Sequence, residues 1–326
     1  MILSVDVGYS SVKAVSSTGY QLQFPSVVAP YRDNPINGAA PFQSGHYLVQ
    51  LGKEKKFVGE MAIKSLNSVS TMQREKPAEL HDLFVLTAAY LCGAGAAIPT
   101  QSQAVTLALG LPLAYYRTQR EELKSRLQRL GAQVQVDRDP QKYISFQDIR
   151  VFPQGLGILF CIPSLPQQGY AGLVDIGCYT TDYMLFEIKD GEPVPVPDGC
   201  GSIEAGTYLV QQDLAAGFQS QTGAPLAHFM YQNALQCAQN NQAIRFQGRE
   251  INLSQIYRCS VREKAQVIIE GVRSAWVSRA EYLSMTAFAG GGAEMFNSHL
   301  DAFPDSIIVP NPVFANANGF LSLLAD

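Results

Sequence analysis

A chain of 326 residues, 47% hydrophobic and 16% charged, is long enough for two domains that each bury a core of their own. A net charge of −4 supplies no basic field to hold nucleic acid directly, and the charge is not gathered into an acidic tail. No apolar run reaches the roughly 20 residues of a membrane span; the nearest, residues 83–98, is broken by Gly93 and Gly95 and predicts a buried helix.

The chain opens directly on Met1-Ile2-Leu3-Ser4-Val5, an apolar run that predicts a strand, and no signal or transit segment is expected. Asp6-Val7-Gly8-Tyr9-Ser10-Ser11-Val12-Lys13 follows as a tight turn, and residues 14–19 predict the return strand and a polar turn. Pro25, Pro30, Pro35 and Pro41 predict an irregular surface loop over residues 25–43, part of a small insert. Residues 46–52 and 56–59 predict short strands of that insert. Helical spacing predicts a helix over residues 80–91, and the apolar run 104–112 predicts a buried strand. Residues 115–130 place Arg and Glu on one face and predict an amphipathic helix. A polar hairpin and a strand over 149–152 follow. Pro153-Gln154-Gly155 then breaks the chain ahead of a short apolar helix reaching residue 160.

At Ala171-Gly172-Leu173-Val174 the opening pattern returns. Another apolar run leads into Asp175-Ile176-Gly177-Cys178-Tyr179-Thr180-Thr181-Asp182, followed by a strand over 183–188 and a polar turn. Gly199-Cys200-Gly201-Ser202 predicts a glycine-spaced start for a helix over 203–216. Residues 227–245 predict a helix that runs into a polar Gln/Asn stretch. A long helix is expected over about 260–278 and a strand over 284–288, ending at Gly290-Gly291-Gly292-Ala293. A strand over 306–309 and a helix over about 315–324 complete the chain. Strands alternating with helices predict an α/β sheet in each half.

A strand, an Asp-x-Gly turn carrying hydroxyls and a second strand form a compact device for aiming backbone N–H groups at an anion. Gly8 and Gly177 allow close backbone approach, and Ser10, Ser11, Thr180 and Thr181 can offer hydroxyls to phosphate oxygens. Asp6 and Asp175 either cap their turns or hold Mg²⁺, directly or through water; their matched occurrence favours the metal. Lys13 either meets a phosphate as a point charge or ends a strand in solvent. Gly290, Gly291 and Gly292 either lie flat against a nucleotide or form a plain turn, and Gly201 with Ser202 is a weaker version of the same signal. Gln154 either orients an attacking water or merely begins a helix. Neither G-x-G-x-x-G nor G-x-x-x-x-G-K-[ST] occurs, which excludes Rossmann-type and Walker-type phosphate sites. Six cysteines without a C-x-x-C pair read as reduced thiols, and four dispersed histidines offer no transition-metal cluster.

In this order the segments resemble the actin, Hsp70 and sugar-kinase ATPase superfamily. Asp6, Gly8 and Lys13 resemble its first phosphate loop and Pro153-Gln154-Gly155 its first connecting segment. Residues 175–182 resemble the second phosphate loop, Gly290 to Ala293 the adenosine motif, and Asn316-Ala317-Asn318-Gly319-Phe320 the second connecting helix. Val309-Pro310-Asn311-Pro312 and the short insert look most like plasmid-segregation actins of the ParM (StbA) type and their archaeal relatives. The resemblance implies an actin-like α/β fold of two related lobes, each a mixed sheet flanked by helices, with nucleotide in the cleft between them. Lobe I would span 1–163 with an insert at about 25–80 and the C-terminal helix 311–326, and lobe II 164–310.

The same resemblance implies ATP (or GTP) and Mg²⁺ as cofactors, with Asp6 and Asp175 as metal-holding residues. Nucleotide would be bound by Asp6, Gly8, Tyr9, Ser10, Ser11, Lys13, Gly177, Cys178, Tyr179, Thr180, Gly201, Ser202, Gly290, Gly291, Gly292 and Ala293. Catalysis would rest on Gln154 and Asp175. Several ParM-type proteins carry glutamate where this chain has Gln154, so water positioning is expected here and general-base catalysis is not. The expected function is an ATPase that self-associates into dynamic filaments in the cytoplasm for plasmid DNA segregation. It would act through a DNA-binding adaptor, without direct nucleic-acid or membrane contact. A non-polymerising small-molecule kinase of the same superfamily is the alternative; it would need an acidic base, for which only Asp182 offers itself.

Overall fold

The structure is a computed structural model and describes residues 1–33, 45–70, 77–101 and 103–325. The chain divides into two compact units, Met1–Phe160 with Asn316–Asp326, and Cys161–Ala315.

In the first unit a five-stranded sheet has the order Asp148–Pro153, Thr106–Leu111, Ile2–Val7, Ser11–Ser16, Gln21–Pro25. The first three strands are parallel, and the other two return antiparallel. Ile2–Val7 sits at the centre of this sheet and is buried on both faces from Leu3 to Val7, which explains its nearly continuous apolar sequence. The helix Ala78–Leu91 is buried over eight successive residues, Leu83 to Tyr90, and packs into the core with Leu3, Val5, Val12, Leu107 and Ile149. The helix Leu113–Gln128 buries only Leu123 and Leu127, in keeping with its amphipathic pattern.

The second sheet of this unit has six strands, in the order Lys142–Ser145, Gly131–Val136, His46–Leu51, Glu54–Gly59, Val27–Pro30, Val69–Ser70. It corrects two expectations. Residues 27–30 form a strand with Val27, Val28 and Ala29 buried, where an irregular loop was expected. Pro30 does not break this strand because it stands at the exposed end. Pro35 and Pro41 of the same expected loop lie outside the described residues. The hairpin over 131–145 is more than a polar excursion: Val134, Val136 and Ile144 are fully or nearly fully buried, and Gly131–Val136 pairs with His46–Leu51.

The second unit repeats the first sheet. Its order is Glu192–Pro195, Thr181–Lys189, Gln168–Ile176, Leu283–Ala289, Ser306–Ile308, and Gly201–Ile203 also pairs with Thr181–Lys189. Again three strands are parallel and the return strands antiparallel. The long helix Ser254–Trp276 starts earlier than its apolar pattern predicts, and just ahead of it the Asn252 side chain accepts a hydrogen bond from the Ser254 N–H at 2.9 Å. The helix expected over 203–216 instead spans Tyr208–Thr222, and Gly201–Ile203 is extended. A further hairpin, Ala243–Phe246 with Arg249–Asn252, occupies part of the expected polar stretch and turns through positive φ at Gln247 and Gly248. No helix among the described residues is long and apolar enough to cross a membrane.

Candidate functional site

The two copies of the repeated octapeptide fold identically in register. Asp6 pairs with Lys13 and Val7 with Val12, while Asp175 pairs with Asp182 and Ile176 with Thr181. Each copy is therefore a four-residue hairpin turn, 8–11 and 177–180, with an aspartate one residue inside the strand. Both glycines are demanded by crowding. A Cβ on Gly8 would stand 2.7 Å from the Ser11 carbonyl oxygen and 3.0 Å from Lys13 Nζ, and one on Gly177 would stand 2.9 Å from the Thr180 oxygen.

In the first unit Asp6 is 7% exposed and ties three segments together. Lys13 Nζ lies 3.5 Å from its Oδ2, and Gln154 Nε2 donates to its Oδ1 at 3.0 Å. Gln154 is itself anchored by its backbone N–H, which donates to the Leu111 oxygen at 2.7 Å. Gly155 takes a left-handed φ of 89°, turns the chain into the helix Leu156–Leu159, and donates its N–H to Asn316 Oδ1 at 2.8 Å. Because the Gln154 amide nitrogen donates to Asp6, its Oε1 is the group left to accept a hydrogen bond from another partner. Ser10 accepts the Ser26 N–H on its carbonyl at 3.0 Å, and the Ser26 hydroxyl donates to the Gly8 oxygen at 2.7 Å. The Ser11 hydroxyl accepts from Gln23 Nε2 at 2.9 Å, so Gln23 orients it. Tyr9 lies in the same turn.

In the second unit the turn 177–180 is seated on the start of the helix Tyr208–Thr222. Thr207 N–H donates to the Gly177 oxygen at 3.1 Å and Tyr208 N–H to the Cys178 oxygen at 2.8 Å. The Tyr179 and Tyr208 rings meet at 4.5 Å between centroids. Gly206, absent from the sequence reading, lies so close to the Gly177 and Cys178 backbone that any side chain would collide with it. The triple glycine meets this turn within the unit: side chains at Gly290 or Gly292 would strike Ile176, and a Cβ at Gly290 would come within 2.5 Å of Asp175 Oδ1. Gly291 faces open space, and Ala293 is fully buried beneath it.

Gly201 and Ser202 depart from the expected arrangement. They stand on an edge strand opposite Tyr183 and Asp182 rather than at a helix start. The Ser202 hydroxyl donates to Asp182 Oδ1, and Asp182 is only 4% exposed. The pair ties the edge strand to the sheet. The neighbouring Thr181 hydroxyl is also committed, to the Ala205 oxygen at 2.8 Å. Burial, with the Cys200 thiol beside it, pushes the Tyr183 phenol above its ordinary range.

Asp6 and Asp175 are the candidate donors for Mg²⁺ within their turns. Mg²⁺ keeps several waters and needs only one or two carboxylates, so a single aspartate per turn fits its chemistry. Asp6 already faces the Lys13 ammonium, which opposes a second cation at direct range. Asp175 is partly exposed and lies against the bare Gly290.

Residues 4–157 match the family model described as the N-terminal domain of actin-like proteins, and residues 173–302 match that of the archaeal actin homologue MreB-like C-terminal domain. The chain belongs to the actin-like superfamily. An archaeal actin homolog from Thermoplasma volcanium is 23% identical over 331 residues, covering 98% of this chain and 97% of that relative. Among solved structures, a ParM from Clostridium botulinum, in a 15-stranded filament, shares 24% identity at a TM-score of 0.87, over 99% of this chain and 98% of its own. An archaeal actin homolog in complex with ADP shares 19% identity at a TM-score of 0.77, over 99% of both chains. The actin-like fold accounts for the repeated sheet order and for the placement of an Asp-x-Gly turn in each unit.

Proposed function

We propose that this actin-like chain binds ATP or GTP with Mg²⁺, hydrolyses it, and self-associates into dynamic filaments. We assign it to plasmid DNA segregation in the cytoplasm, through a DNA-binding adaptor. The observation that carries the catalytic part is the Lys13–Asp6–Gln154 arrangement beside the first turn. Asp6 holds the Gln154 amide nitrogen, which leaves Oε1 to accept a hydrogen bond from a water and orient it for attack on a phosphoryl group. An amide serves this purpose without being a strong base, because phosphoryl transfer depends mainly on positioning and charge stabilisation. Lys13 supplies a positive point charge and the glycine turns at 8 and 177 supply close backbone approach. Asp175 would hold Mg²⁺, directly or through water, and a bound metal would supply charge neutralisation at the phosphates. Gly290 and Gly291, at the start of the helix Gly291–Phe296, would offer accessible backbone to the nucleoside, while the buried Gly292 and Ala293 seat that helix.

A kinase of the same superfamily would need a carboxylate to accept a hydroxyl proton. Asp182 is buried and takes the Ser202 hydroxyl, which favours water over a small-molecule acceptor. The filament proposal is supported by the ParM filament structure and by the shared fold. Mixing the purified chain with Mg-ATP and following light scattering together with phosphate release tests it. A nucleotide-dependent rise in scattering that decays as phosphate appears is expected. Phosphate release with flat scattering at every protein concentration would remove the filament half of the proposal, and the absence of both would remove the whole.

A further inference from the structure

Gly110 lies on the strand Thr106–Leu111, opposite Phe152 in the parallel pairing with Asp148–Pro153. A Cβ built on Gly110 would stand 2.8 Å from Gln154 Cγ and 3.0 Å from the ring of Phe320. Those two neighbours differ in how far they can yield. Phe320 is fully buried and stacks on Phe152 at 5.1 Å between centroids, with 18° between ring planes. Its helix packs closely against the chain at Gly319, where any Cβ would collide with the Gly157 backbone. Gln154, by contrast, is held beyond its backbone, among the described residues, by the hydrogen bond from its amide to Asp6. A side chain at position 110 would therefore be accommodated by swinging the Gln154 stem, and the amide would leave Asp6.

From this geometry we infer that Gly110 is a positioning residue for Gln154: its missing side chain is the space that lets the Gln154 amide nitrogen reach Asp6, leaving Oε1 to other partners. Gly110 touches no reacting group itself. The inference about catalysis rests on the role proposed above for Gln154, whereas the inference about position does not.

Two readouts on the full-length chain separate these. The first is the side-chain amide resonance of Gln154 in ¹⁵N spectra of the wild-type chain and Gly110→Ala, assigned by its loss in Gln154→Ala. The expected result is a shift of that resonance towards the solvated range, with the backbone spectrum otherwise kept. A Gln154 resonance unmoved by Gly110→Ala overturns the inference. The second readout is nucleotide turnover in Gly110→Ala, Gln154→Ala and the double variant. Misplacing a positioned group commonly costs about tenfold or more in rate, so Gly110→Ala should lower kcat about tenfold and leave nucleotide affinity within about twofold. In the Gln154→Ala background it should cost nothing further, since residues acting through one another are not additive. Additive losses would overturn the inference. Should Gln154→Ala leave turnover intact, the catalytic role of Gln154 falls, while the spectral readout still decides the placement. If Gly110→Ala unfolds the chain, recovery of the fold by adding Gln154→Ala supports the contact, and failure to recover overturns it.

Discussion

Asp6 serves two neighbours at once. One oxygen faces the Lys13 ammonium and the other takes the Gln154 amide, in a position where water reaches only 7% of the residue. A buried carboxylate stripped of its cation pays a desolvation penalty that nothing offsets. Lys13→Met keeps the stem and removes the charge, so it should destabilise the first unit by about 2 kcal/mol and weaken nucleotide binding together. Urea unfolding and nucleotide titration of the one variant measure the two effects. A change in binding alone would mean that the ion pair contributes little to the fold. A second residue makes stability depend on pH. His46 is 9% exposed, and burial first, then the Lys64 charge, hold its imidazole below its usual 6.5, against an opposing pull from Glu60. The unfolded chain therefore takes up the proton first. The contribution of His46 is fully present above 6.5 and is lost as the pH falls from there through the lower folded value. His46→Gln should flatten the decline in stability between pH 7 and 5, as read by melting temperature.

At the scale of elements, the parts that were legible in the sequence are those whose pattern is local. The repeated turn, the strand Thr106–Leu111 and the helices Ala78–Leu91 and Leu113–Gln128 each carry their own period or their own glycine. What was missed depends on partners far along the chain. Val27–Pro30 looks like a proline-rich loop until Glu54–Gly59 pairs with it. Gly201–Ile203 looks like a helix entry until Thr181–Lys189 does. Gly206 and Gly110 carry no sequence signal, because a glycine reports its need for closeness only once the neighbour is in place. Gly292 illustrates the cost of such closeness. A Cβ there would collide with both the side chain and the backbone of Ile176. Overpacking of this kind costs about 1–3 kcal/mol, so Gly292→Ala should lower the urea midpoint accordingly. It should also displace the end of the strand that carries Asp175. An unchanged midpoint would show that the helix Gly291–Phe296 can shift freely.

For the whole molecule, the decisive property is repetition. Each unit has its own buried core and a sheet of three parallel strands extended by returning strands, two in the first unit and three in the second, with the Asp-x-Gly turn after its central strand. The copies have diverged at the last position of the octapeptide: Lys13 supplies a cation in one, while Asp182 has been taken into the sheet by Ser202 in the other. Nucleotide-dependent assembly of a protein built this way has a concentration signature that simple aggregation lacks. The most direct measurement is sedimentation of the purified chain over a range of concentrations, with Mg-ATP, with Mg-ADP and without nucleotide. With Mg-ATP, protein should begin to pellet above a threshold concentration while the supernatant stays constant, and without nucleotide it should stay in the supernatant. Pelleting that ignores nucleotide, or a supernatant that rises in proportion to total protein in Mg-ATP, would contradict the proposed function.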